Sequence, residues 1–205
     1  MRLSKSCLIT LVVLALAPTP ASAKRNDPNI QLAYTPTTSV AEASAVPTSE
    51  MRAVPAAIEI EDDRAVDKSV IGSRTGDDDR RIELRATNEV GEFVQAALVR
   101  QAREWSFVIA EGGEAEVVLA AKLTQFTVEE TNQAVGATYE ARCTLELELR
   151  RAGDAKWSGV FTGDATRYGK KFSAENINEV LSDALAEAFA SALNDSGLRS
   201  AWCGS

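Results

Sequence analysis

Ser173-Ala174-Glu175-Asn176-Ile177-Asn178-Glu179-Val180-Leu181-Ser182-Asp183-Ala184-Leu185-Ala186-Glu187-Ala188-Phe189-Ala190-Ser191-Ala192-Leu193 is the stretch whose reading decides the fold. Ile177, Val180, Leu181, Ala184, Leu185, Ala188, Phe189 and Leu193 recur at intervals of three and four, which places them on one stripe of a helix. Ser173 can cap the first turn, and Glu175 sits where the helix dipole favours an anion. A lone helix of this length is marginal in water, so the stripe must be buried. Full burial of its six largest side chains is worth roughly 1.5–3 kcal/mol each before entropy is subtracted. The surface that receives it must come from residues 54–168.

The best candidate for that surface is a strand over 138–150. Tyr139, Ala141, Cys143, Leu145, Leu147 and Leu149 alternate with Glu140, Arg142, Thr144, Glu146, Glu148 and Arg150, the pattern of a half-buried strand. Upstream, Val117, Leu119, Ala121 and Leu123 share a face, after which Phe126 and Val128 carry the apolar parity. Such a change predicts a bulge near Thr124 or Gln125. Thr131 to Gly136 is the expected hairpin loop, Ala152-Gly153-Asp154 the next turn, and Trp157 to Thr166 a further strand with Phe161 inside. Val90, Phe93, Val94, Ala97, Leu98 and Gln101 mark a second helix over 88–104, capped by Thr87 or Asn88. Ala56 to Glu61 and Ser106 to Ala110 read as short strands, and Asp62 to Arg81 as a polar loop. The order strand, helix, four strands, helix predicts an α+β two-layer sandwich. Its mostly antiparallel sheet of four to five strands carries two helices on one face.

The domain is expected over 54–203. Met1 to Ala23 reads as a cleaved signal peptide: Arg2 and Lys5, an apolar run from Leu8 to Ala17, and Ala21-Ser22-Ala23 as the cleavage site, leaving Lys24 first. The run is too short to span a bilayer of ~30 Å, so the mature chain is expected to carry no transmembrane segment. Cys7 precedes the run instead of following it, which argues against a lipid anchor. Residues 24–53, rich in Pro, Thr, Ser and Ala, read as a flexible leader in which Ile30, Leu32 and Tyr34 could form one edge strand.

Composition narrows function by exclusion. There is no histidine. Ser-His-Asp triads, Cys-His dyads and His-bearing zinc sites are therefore ruled out. The net charge of −8 disfavours nucleic acid and repels anionic lipid head groups. Asp77-Asp78-Asp79 lacks the alternation of a calcium loop and reads as a solvated acidic turn. Gly112-Gly113 joins two strands and opens no phosphate-binding helix. Trp105, Trp157 and Trp202 could line a ligand groove, but tryptophans at element ends serve core or rim more often. No cofactor is expected. In the mature chain Cys143 and Cys203 remain, and two cysteines in an exported protein predict a disulfide, worth about 4 kcal/mol in the chain-entropy picture.

The leader, the strand ending at Asp63-Arg64, Ile71-Gly72, the helix bearing Val90, Val94 and Leu98, the strand at 116–123 and the final helix introduced by Phe172-Ser173-Ala174-Glu175-Asn176 together resemble the YajG family of bacterial envelope lipoproteins. More distantly they resemble auxiliary lipoproteins of envelope ABC-type lipid transport systems. The resemblance implies a non-enzymatic domain of the Gram-negative envelope with no catalytic residues. Two roles are then expected for a periplasmic protein of this kind. It is a binding module for another envelope protein, or a small carrier sheltering a lipid or other apolar ligand between helices and sheet.

Overall fold

The computed structural model describes residues 28–37, 48–76, 80–110 and 114–204. The long alternating segments become the centre of the sheet. β5 (Val117–Asn132), β6 (Ala137–Arg151) and β7 (Asp154–Gly169) form an antiparallel meander. The ladder slips between Leu123 and Gln125, so Thr124 is the bulge that the parity change predicts. On its other side β5 carries two strands end to end. β2 (Ala56–Asp62) runs parallel to its first half and β3 (Val70–Thr75) parallel to its second. β4 (Arg81–Ala86) returns antiparallel to β3, and β1 (Asn29–Ile30) adds to β4 in parallel. Among the described residues this is one mixed seven-stranded sheet, larger and less antiparallel than the four to five strands expected. β7 is its last strand.

The polar loop expected over 62–81 contains β3, and the miss has a physical cause. The ladder with β4 slips between Val70 and Gly72, which breaks the period-two pattern. Gly72 has φ +141°, and a Cβ there would lie 1.8 Å from the Val128 carbonyl oxygen. Only glycine fits so close to β5. The excursion between β2 and β3 closes on Arg64, whose side chain is 2 % exposed. It donates to both oxygens of Asp62, at 2.9 and 2.7 Å, and to the Val70 carbonyl at 2.7 Å.

Four helices are described, where two were expected. α2 (Val90–Glu104) and α3 (Ala174–Asn194) cover one face of the sheet. Ser173 caps α3 by accepting from the Asn176 amide at 3.2 Å. The whole predicted stripe of α3 is buried, as are Asn178, Ser182, Ala186 and Ala190 beside it. Its start is held by Glu130, fully buried, which accepts the Phe172 amide at 2.7 Å. α2 begins after Glu89, which makes no side-chain cap; the Asn88 side chain is used elsewhere. Residues 106–110 contribute a single bridge, Ile109 to Ala56, instead of a strand. α1 (Ser49–Ala53) and α4 (Ser196–Cys203) close one end. There Trp202 is buried, donates to the Met51 carbonyl at 3.2 Å and packs on Phe107. Trp105 stacks on Phe189 and Trp157 on Phe161, so the tryptophans are packing groups.

Part of the expected leader therefore belongs to the domain. Ile30, Leu32 and Met51 are buried in the same core as the sheet. Residues 1–27, with Cys7 and the Ala23/Lys24 junction, lie outside the described residues.

Candidate functional site: the open face of the sheet

Alternation decides what faces out. Residues of β5, β6 and β7 that do not meet the helices form the opposite face, which no described element covers. In register across it stand Glu61, Lys122, Glu146 and Val160, then Thr144 and Thr162, then Arg142 and Asp164. Lys122 lies 3.9 Å from Glu61, Arg142 donates to Asp164 at 2.6 Å, and the two threonine hydroxyls are 3.0 Å apart. These pairs are exposed and add little stability.

The twist of the long strands makes this face two shallow clefts. One, of about 450 Å³, is lined by Glu59, Glu61, Lys122, Glu146, Glu148 and Arg150 around an exposed Val160. The other, of about 550 Å³, lies between Arg81, Glu129, Glu140, Arg142 and Asp164. Carboxylates outnumber cations four to two in the first and three to two in the second, so the face presents negative charge to a partner. Between helices and sheet, by contrast, Leu119, Leu123, Phe126, Leu145, Leu181, Leu185 and Phe189 are buried to within 1 %. The described interior at these positions is packed side chain on side chain.

The expected Cys143–Cys203 bond is not formed; both thiols are free. Cys143 sits in mid-β6, opposite Phe126 and Gly163. Cys203 ends α4 next to Trp202, whose carbonyl accepts from Arg151 at the far end of β6. Eight residues of strand separate Cys143 from Arg151, about 26 Å, whereas a disulfide needs Cα atoms within about 7 Å. Complete burial pushes the Cys143 thiol far above its ordinary pKa, so it is an inert core group.

The edge strand expected of Ile30, Leu32 and Tyr34 is realised only at Asn29–Ile30, beyond which the chain leaves the sheet. Residues 31–37 run along the seam between α2 and α3, read by buried and half-buried polar side chains. Asn88 accepts the Leu32 amide at 2.9 Å. Asn178 accepts the Ala33 amide and donates to the Gln31 carbonyl, both at 3.1 Å, and Ser182 accepts the Thr35 amide at 3.0 Å. The Tyr34 hydroxyl donates to Gln101 at 2.9 Å beneath the Arg100 guanidinium. Burial, aided by Glu104, raises that phenol's pKa well above its usual value. Asn178 and Ser182, four apart beside an apolar stripe, were the available sign.

Among the described residues, no group of three or more Cys, Asp or Glu side chains is placed to hold a metal ion. No described helix is long and apolar enough to cross a membrane.

No curated protein matches the chain at a significant level. Among solved structures it is similar to protein XCC0632 from Xanthomonas campestris, of the DUF330 family, at 13% identity and TM-score 0.52, covering 80% of this chain and 90% of that one. That likeness is one of fold. Weaker likenesses are to the hypothetical protein CT253 from Chlamydia trachomatis (8% identity, TM-score 0.42, 75% and 100% covered) and to a putative lipoprotein from Caulobacter crescentus (17%, 0.36, 56% and 83%). A model of the Lipoprotein_16 family, described as uncharacterised lipoproteins, matches residues 41–201, and the chain belongs to that family.

Proposed function

We propose that this chain is a non-enzymatic, YajG-like module of the Gram-negative envelope. It is exported by residues 1–23 and docks another envelope protein against the open face of its sheet. One observation carries the reading: a long, negatively charged sheet face stands bare while the opposite face is fully packed. The tight packing between helices and sheet removes support from a carrier of apolar ligands. A photo-crosslinking residue at Val160, which is 65 % exposed, tests the docking reading. The expected result is one discrete adduct in envelope extracts, lost when Glu146 and Glu148 become lysine. Adducts no different from those at Val66, exposed but lining neither cleft, would refute it.

The family's name implies a lipid, yet Cys7 precedes the apolar run. We expect cells fed labelled palmitate to incorporate none into this chain. Label that disappears with Cys7→Ala would show an anchor after all.

A further inference from the structure

Residues 31–37 lie on the helices as a bound peptide lies on a receptor, continuing from Asn29–Ile30, which pair with β4 at the sheet edge. The amides of Leu32, Ala33, Thr35 and Thr37 and the carbonyls of Gln31, Leu32 and Tyr34 all go to side chains of Asn88, Arg100, Asn178, Ser182 and Asp183. Contacts of that kind read an extended backbone whatever its sequence, while Ile30 and Leu32, at 3 % and 5 % exposure, fill alternate apolar positions. A seam that had only to pack would be apolar. This one holds Gln101, Asn178 and Ser182 at 2, 9 and 0 % exposure, groups that are costly to bury without a partner. Their partners are atoms of the strap.

We propose that the α2–α3 seam is an extended-peptide site, and that its occupant can be exchanged for residues 29–37 of a second copy of the chain. The segment of this shape and pattern seen to fit is the chain's own. It is tied to α1 through residues 38–47, and a ten-residue tether reaches up to roughly 35 Å. Exchange between two copies closes a symmetric pair with every strap contact kept. The seam and the open sheet face lie on opposite sides of the molecule, so failure of either reading leaves the other standing.

Shortening the tether tests this. The strap ends on Asp183 in mid-α3, whereas α1 lies against α4, beyond Asn194. Eleven helical residues separate Asp183 from Asn194, about 16 Å along α3. Deleting residues 39–46 leaves Thr38 and Pro47, which reach about 10 Å. The shortened full-length chain can then fill its seam only from another copy. Native mass spectrometry is expected to find a dimer with unchanged far-UV dichroism, and Leu32→Asp to return it to monomer. A folded monomer, or a dimer indifferent to Leu32→Asp, overturns the proposal. A second measurement does not need the deletion to fold. A protease site is placed within 38–47 and cut in the folded protein, and a fluorescent peptide of residues 28–37 is added. Uptake is expected, with the Leu32→Asp peptide binding ~10- to 100-fold more weakly. A cut chain that keeps its own fragment and takes up no label overturns it.

Discussion

Gly163→Val is expected to destabilise this domain strongly, because the strand there lies against the backbone of α3. A Cβ at Gly163 would lie 2.1 Å from the Ala184 carbonyl oxygen and 2.5 Å from the Ala188 amide nitrogen. Both belong to the backbone of α3, which cannot swing aside as a side chain can. The Asp164 amide also donates to Glu187 at 2.9 Å, tying strand and helix together at that level. The helix must lift off β7 or the strand must bend. Overpacking of this kind costs ~3 kcal/mol or more, roughly 10 °C in Tm for a chain of this length. Thermal and urea unfolding followed by circular dichroism measure it. Gly91→Ala in α2 is the control, because its Cβ meets only Asp62 Cβ at 3.5 Å. Helix propensity makes that change neutral or stabilising, by at most ~1 kcal/mol. Equal losses in the two variants would show that close approach of α3 to Gly163 is not what matters.

Arg64→Met is the second large loss. The guanidinium is buried, and it holds the Asp62 carboxylate and the Val70 carbonyl where the chain leaves β5 and rejoins it. Removing one partner of a buried pair strands the other, at a cost of about 3 kcal/mol. The same pair sets a pH dependence. Burial alone would raise the pKa of Asp62, but the hydrogen bonds and charge of Arg64, with Lys68, outweigh it and leave the carboxyl below its ordinary 3.8. The folded-state value lies below the unfolded one. The contribution is therefore complete above the unfolded pKa and is lost as pH falls through the folded one. Asp62→Asn should flatten the acid limb of the urea midpoint as pH falls below the ordinary carboxylate range. An unchanged limb would place the acid sensitivity in other carboxylates.

What could be read from the residues was whatever kept a strict period. α3 and its Ser173 cap, β6, and the bulge at Thr124 follow from repeats of 3.6 or 2 carried over many residues. β3 could not be read this way. A register slip at its first residues and a backbone contact at Gly72 replace side-chain alternation there. Met51 anchors a helix too short to show a stripe. The cysteine pairing failed because compartment and count predict that a bond is chemically favoured, whereas distance along β6 is set by tertiary structure. Of the functional surfaces, the charged outer row of β6 was visible as the polar half of its alternation. Of the strap on the helices only the alternation of Ile30, Leu32 and Tyr34 was visible, and it read as an edge strand; the polar residues that hold it are lone ones scattered over 88–183.

β7 ends the sheet, and outer main-chain atoms that α3 leaves uncovered are a template on which a foreign polypeptide could zip up; the Asp164 amide, taken by Glu187, is not among them. The rim answers with interruptions: Gly159, Gly163 and Gly169 thin it, and Lys156, Asp164 and Arg167 stud it with alternating charge. Runaway fibril growth from that rim is thereby discouraged, with α3 guarding it at Gly163 and Asp164.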